Sequence, residues 1–318
     1  MAHFDVFNGD ADGLCSLHQL RLAEPREAIL LTGVKRDVGL LARVPAVAGD
    51  SATVLDVSLA TNRGALAALL ERGVAIEYFD HHFAGEVPRH PRLQTFIDSA
   101  ADVCTGVLID RHIGGRYRPW AIVAAFGDNM DDVAQTLAGT VGLEPTELAL
   151  LRELGACLAY NAYGETEADL IVHPVELYET LHRYADPFGF MATEAIFERI
   201  GKTRQADLNL ARQVEPMCSS DRVWVYCLPD APWSRRVRGA LGNELASTYP
   251  DRAHAVLTPN AVGGYTVSVR ASLATRAGAD ALCRHFSTGG GRAAAAGINH
   301  LPKERLQDFL QQLESAYG

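Results

Sequence analysis

Val74-Ala75-Ile76-Glu77-Tyr78-Phe79 runs without a break into Asp80-His81-His82 and then Phe83-Ala84-Gly85. The first six residues mix β-branched and aromatic side chains after the turn residue Gly73, and predict a buried strand. An acid and two imidazoles at its carboxyl end stand where open α/β sheets place their ligands. Taken alone, the tripeptide reads equally well as a polar loop cap. The weight comes from how many other acids fall at strand ends.

Upstream, residues 3–7 predict a first strand that ends at Asn8-Gly9-Asp10-Ala11-Asp12-Gly13. Leu14, Leu17 and Leu20 follow at helical spacing, so these acids lie on a strand-to-helix turn. Residues 28–32 predict a second strand, and residues 52–55 a third that delivers Asp56 at its end. Leu66, Leu69 and Leu70 mark a helix stopping at Gly73. Downstream, residues 94–97 predict a fifth strand, followed by a helix through Val103, Val107 and Leu108. A further apolar segment, 120–126, ends in Gly127-Asp128-Asn129 and adds Asp128 to the strand-end acids. Strand and helix alternate, which predicts an α/β fold with a doubly wound, mostly parallel sheet.

Residues 131–212 read as mainly helical, with breaks at Pro145, Pro174, Pro187 and Gly189; Asn161 and Tyr163, beside Gly164, interrupt one helix. The polar run 202–213 leads to a linker around 216–220. A second α/β pattern follows: strands at 223–228, 254–258 and 265–270, helices at 236–248 and near 277–286, a glycine-rich loop at 289–297, and a last helix after Pro302.

A chain of 318 residues is long enough for about two domains, each with its own core. A formal charge of −10 argues against bulk attraction to long nucleic acid or an anionic membrane. The six cysteines are scattered without a C-x-x-C pair, as expected of reduced thiols. The first residues enter a strand pattern directly, and no apolar run approaches the ~18 residues of a membrane span. The expectation is a cytoplasmic protein.

Asp10, Asp12, Asp56, Asp80, His81, His82 and Asp128 thus collect at one edge of the sheet. Acids brought together repel and raise each other's pKa unless cations lie between them. Carboxylates with one or two imidazoles suit Mn²⁺, Mg²⁺ or Fe²⁺ better than a thiolate-rich zinc site does. Two such ions about 3.5–4 Å apart can clamp a phosphoryl group for in-line attack. The residues therefore suggest phosphoester hydrolysis. Asn8-x-Asp10-x-Asp12-Gly13 imitates the start of an EF-hand loop, but Gln19 stands where that loop needs Glu. Gly289-x-Gly291-x-x-Ala294 imitates a dinucleotide fingerprint, but a helix precedes it. Asp37, Asp50, Asp110 and His112 read as surface residues or caps, and His18 and His173 as satisfied histidines.

Asn8-Gly9-Asp10-Ala11-Asp12-Gly13, Leu55-Asp56-Val57-Ser58, Asp80-His81-His82 and Gly127-Asp128-Asn129 resemble, in order, the four motifs of the DHH phosphoesterases. Gly289-Gly290-Gly291-Arg292 through Ala296-Gly297 resembles the glycine-rich signature of their DHHA1 substrate domain. The resemblance implies a DHH metal-binding domain over 1–190, a helical connector and linker over 191–220, and a DHHA1 domain over 221–318. It implies two divalent cations, Mn²⁺ first, with Mg²⁺, Fe²⁺ or Co²⁺ as alternatives. Asp10 and Asp12 would each bind one ion, Asp56 would bridge them, and His81 and Asp128 would complete the shell. Asp80 would orient a ligand and His82 would face the scissile phosphate. Arg270 and the loop Gly289, Gly290, Gly291, Arg292 would hold the far end of the substrate, with Asn161 a further candidate contact.

Two departures stand out. Many members have a histidine ligand where this chain has Val6, and others have an acid at Asn8, leaving Asn8 as a neutral ligand or a group just outside the shell. Arg292 replaces a histidine frequent in the second signature; an arginine can fork onto a phosphate or stack on guanine. The forms present are most similar to bacterial hydrolases of pGpG, implying a short linear dinucleotide as partner, without membrane or long nucleic acid, and a homodimer as one assembly. The rival expectations are a pAp phosphatase or other small phosphomonoesterase, and a nucleotide sensor with a decayed metal site.

Overall fold

Five strands form the first sheet: β1 (His3–Phe7), β2 (Ile29–Leu31), β3 (Ser51–Leu55), β4 (Ala75–Asp80) and β5 (Leu93–Ile97). Their order is β2-β1-β3-β4-β5 and every pairing is parallel. The chain turns to one side of β1 to make β2 and then to the other to make β3. The carboxyl ends of β1 and β3 therefore flank the point where strand order reverses, the usual ligand crevice of such sheets.

A computed structural model describes all of the chain, Met1–Gly318, which divides into units Met1–Lys202 and Thr203–Gly318. In the first unit, helices lie on both faces of the sheet. α1 (Ala11–Ala23) starts directly after β1 and is buried along most of its length. α2 (Leu59–Glu71) brings Leu66, Leu69 and Leu70 against Phe4, Val6, Val54, Ile76 and Tyr78 on the other face. After β5 come α3 (Thr105–His112), α4 (Arg118–Gly127), α5 (Asp131–Gly139), α6 (Pro145–Asn161), α7 (Pro174–Leu181), α8 (Pro187–Thr193) and α9 (Ala195–Ala211). None of the helices is long and apolar enough to cross a membrane.

The apolar segment 120–126 does not end a strand. It is the body of α4, begun by Pro119 in its first turn and buried on all sides, with α1 and α6 against it. Burial all round erased the helical periodicity that would have revealed it. Asp128 accordingly sits at a helix C-terminus rather than a strand end.

The second unit holds a mixed sheet of order β10-β11-β9-β8-β7-β6. Its strands are β6 (Cys218–Ser219), β7 (Val223–Cys227), β8 (Ala253–Pro259), β9 (Gly264–Arg270), β10 (Gly289–Gly291) and β11 (Ala295–Pro302). Cys218 and Ser219, inside the stretch read as a linker, pair with β7 as an edge strand. α10 (Pro232–Thr248) packs on β8 and β9, while α11 (Ala279–Arg284) and α12 (Leu306–Tyr317) cover the apolar face of Val225, Leu257, Val267 and Ile298. The glycine-rich stretch is a hairpin rather than a loop: Gly289, Gly290 and Gly291 pair with Ile298, Gly297 and Ala296. A Cβ at Gly289 would stand 1.8 Å from the Cys283 carbonyl oxygen, and Gly291 has φ 139°, so both glycines are demanded by the backbone. Gly290 meets nothing within 4 Å.

Candidate metal centre

Asp10 ends the turn after β1 and caps α1: its Oδ1 accepts the Asp12 and Gly13 amides, each at 3.1 Å. Asn8 Oδ1 accepts the Asp10 amide at 3.3 Å, so this side chain shapes the turn. One residue into the helix, Asp12 reaches the N-terminus of α3, where its carboxylate accepts the Thr105 amide at 2.8 Å and the Gly106 amide at 2.7 Å. Asp56 follows β3 with φ 57°, a left-handed conformation that Asp tolerates better than most residues. It accepts from Thr105 Oγ1 at 3.4 Å.

The stretch after β4 closes the cluster. His81 Nδ1 donates to the Val103 carbonyl at 3.0 Å, which leaves Nε2 as the lone-pair nitrogen. That Nε2 lies 3.4 Å from Asp128, 3.5 Å from Asp56 and 3.8 Å from Asp12. Asp80 is fully buried, and its Oδ1 accepts the amides of His81 and His82 as well as His82 Nδ1 at 2.7 Å. Its Oδ2 accepts the Leu59 amide at 3.4 Å, so Asp80 is an orienting group tied to α2. His82 keeps Nε2 uncommitted and is half exposed.

The electrostatics match a site built around positive charge. Burial, then the neighbouring Asp12, Asp10 and Asp128 carboxylates, push the Asp56 carboxyl well above its ordinary range. Burial and Asp128 raise Asp12 in the same way, against the pull of His81. Burial would raise Asp10 as well, but the ammonium of Lys35 holds it below its usual value. Burial disfavours a charged His82, and Asp80 outweighs it, so the imidazole keeps its proton to higher pH than usual.

Lys35 is the member of the cluster that sequence reasoning missed. Its Nζ lies 2.5 Å from Asp10 Oδ2 and 3.5 Å from Asp128 Oδ1, and 5.9 Å from the Tyr163 ring centroid. A signal was present. The chain carries nearly all its positive charge on arginine, with three lysines in total, and one of them stands just past a strand end. An ammonium is a compact point charge where a guanidinium is a planar fork.

Other predicted residues fall elsewhere. Asn161 is fully buried, and Val172 takes both ends of its side chain, the carbonyl accepting Nδ2–H at 2.9 Å and the amide donating to Oδ1 at 3.0 Å. It anchors a loop and, in this structure, no solvent or substrate reaches it. Arg270 donates to Asn243 at 2.7 Å and to Ser268 at 2.8 Å, fastening β9 to α10. Arg292 is exposed at the hairpin turn, its backbone closing on Ala295. Asp110, read as a surface group, is buried against Arg118 at 3.0 Å. His18 and His173 are satisfied as expected, His18 within a buried histidine pair and His173 as the cap of α7.

The residues fit a divalent ion: carboxylate oxygens and imidazole nitrogens converge, and Asp12, His81 and Asp128 form one triad of candidate ligand atoms, Asp56, His81 and His82 another. Sheet order, switch-point acids and the glycine-rich hairpin give this chain the DHH/DHHA1 phosphoesterase fold. It is similar to exonuclease RecJ bound to manganese, with 16% identity and TM-score 0.64, covering 99% of this chain and 89% of that one. RecJ from Thermus thermophilus, in complex with Mn²⁺, aligns at 18% identity and TM-score 0.68 over 99% of this chain, which spans only 51% of that protein. The pGpG-specific phosphodiesterase PggH from Vibrio cholerae aligns at 15% identity and TM-score 0.54, over 99% of this chain and 100% of its own. No protein-family model and no curated protein matches the sequence.

Proposed function

We propose that this chain is a divalent-metal-dependent phosphodiesterase that cleaves short linear dinucleotides such as pGpG into mononucleotides. The observation that carries the reading is the His81 Nε2 set among Asp12, Asp56 and Asp128, with the Asp80–His82 pair beside it. A divalent cation supplies Lewis-acid polarisation of a phosphoryl oxygen and acidifies a water. Asp12, Asp56, His81 and Asp128 would hold that cation, Mn²⁺ being the ion bound by both RecJ structures.

His82 does the proton work. Asp80 fixes its Nδ1, so a proton on Nε2 is aimed away from the protein and available to an oxygen that gains negative charge. Beside it, Phe83 is 79% exposed on a loop whose Ala84 and Glu86 carbonyls accept from Arg63 of α2. An aromatic face held out to solvent beside reactive groups offers stacking to a nucleobase. The net charge of −10 favours a small substrate over a polymer, and the likeness to PggH points to the same size class.

A mass-spectrometric screen tests the reading. Purified protein with Mn²⁺ is offered pGpG, other dinucleotides, pAp, pyrophosphate and a chromogenic phosphodiester. Turnover of dinucleotides to mononucleotides is expected. Turnover of pAp alone would make it a phosphomonoesterase, and binding without any turnover would make it a sensor; either outcome overturns the proposal.

A further inference from the structure

Asp10 lies in the turn after β1, at the switch point, yet neither triad of converging ligand atoms includes it. Both of its oxygens are already taken. Oδ1 caps α1 through the Asp12 and Gly13 amides, and Oδ2 receives the Lys35 ammonium at 2.5 Å. A divalent ion binds a carboxylate oxygen at about 2 Å. On Asp10 Oδ2 it would crowd a fixed ammonium on the same oxygen and meet like-charge repulsion.

The root of Lys35 is held in place. Its amide donates to the Ala162 carbonyl at 2.9 Å. The preceding turn is wedged so closely over the Asp10 loop that a Cβ on Gly9 would lie 2.2 Å from the Gly33 carbonyl oxygen. No side chain other than glycine's fits at residue 9 without moving the Lys35 loop. The backbone thus delivers the ammonium to the gap between Asp10 and Asp128.

We propose that the Lys35 ammonium takes the place of one of the two cations, so that the centre holds a single divalent ion on Asp12, Asp56, His81 and Asp128. This rests on reading the cluster as a metal centre, and departs from the two-ion count implied by the motifs. The geometry supports it: the Lys35 ammonium already stands 2.5 Å from Asp10 Oδ2 and 3.5 Å from Asp128 Oδ1, in the gap that a second ion would have to enter. Lys35 is then a positioning residue that keeps Asp10 neutralised and out of the ligand shell. Its Nζ is also left beside the ion, where a phosphoryl oxygen can accept from it.

The test counts ions and needs no substrate, so its outcome is independent of whether any dinucleotide is cleaved. Metal-free protein is titrated with Mn²⁺ by calorimetry and by electron paramagnetic resonance. The wild type is expected to bind one ion per chain with the six-line spectrum of an isolated Mn²⁺. Lys35→Met frees Asp10 and is expected to bind two, with an exchange-coupled signal; Lys35→Arg keeps the charge and stays at one. Two ions in the wild type or in Lys35→Arg, or a single ion in Lys35→Met, would overturn the proposal. The wild-type count decides even where a variant does not fold.

Discussion

The turn at Asp80–His82 and the turn at Gly289–Arg292 both follow or interrupt strands, but they are built in opposite ways. At the first, Asp80 is buried and accepts from three donors of the next two residues, and His81 is fixed through Val103. At the second, order comes from the backbone alone: Gly289 and Gly291 are forced by packing, and Arg292 projects into solvent. The contrast separates two tasks. Groups that hold a cation are set before anything binds, since reorganising them during reaction would cost rate. A group proposed to meet the variable end of a substrate can stand exposed until the ligand orders it, at some cost in side-chain entropy.

Damage at the two turns should therefore look different, and the largest effect belongs to the metal side. Asp56→Asn preserves the backbone, because Asn tolerates φ 57° as Asp does. On the proposed reading it removes a buried anion from the ion's shell, and the rate on pGpG with Mn²⁺ should fall at least ~10³-fold with the fold intact by circular dichroism. His82→Ala should lose ~10²-fold or more while retaining its ion on dialysis, because Asp80 and not the metal holds that ring. Equal metal loss in both variants would make His82 a ligand and break the division of roles.

On the hairpin side the effect should be smaller and confined to binding. If Arg292 grips the substrate as we propose, Arg292→Ala removes one charge-assisted contact, worth about 1.5–3 kcal/mol, and should raise KM for a 5′-phosphorylated dinucleotide by ~10-fold or more with little change in kcat. A small chromogenic diester should be cleaved as before, and the melting temperature should not move, since Arg292 makes no ion pair. Parallel losses on both substrates would erase the distinction between the turns.

A separate effect concerns the pH dependence of stability in the first unit. His18 Nε2–H donates to the Tyr184 carbonyl, so its Nδ1 accepts from His182 Nδ1–H at 3.0 Å. Burial, then the facing His182, lower His18 from 6.5 to about 3. The folded chain keeps it neutral while the unfolded chain takes up a proton below 6.5, so its contribution is complete above that pH and is lost as pH falls toward about 3. The slope cannot exceed about 1.4 kcal/mol per pH unit for one proton. Denaturant titrations of wild type and His18→Gln should diverge across that window; identical slopes would mean that the pair is not what makes the unit acid-sensitive.

Local pattern was enough to read the alternating strands and helices of the first unit and the acids at the ends of β1, β3 and β4. A strand pattern, a turn and the next few residues settle where Asp10, Asp12, Asp56 and Asp80–His82 emerge. Whatever depends on distant partners needed the folded chain. Asp128 enters the cluster from a helix whose all-round burial hid its period, and Asn161 and Arg270 turn out to fasten backbone. Lys35 lies 25 residues from Asp10 and 93 from Asp128 in sequence, so no local pattern could pair them. Only folding the loop after β2 over Gly9 brings that ammonium among the acids, and an electrostatic partner found through space leaves no periodicity in the chain.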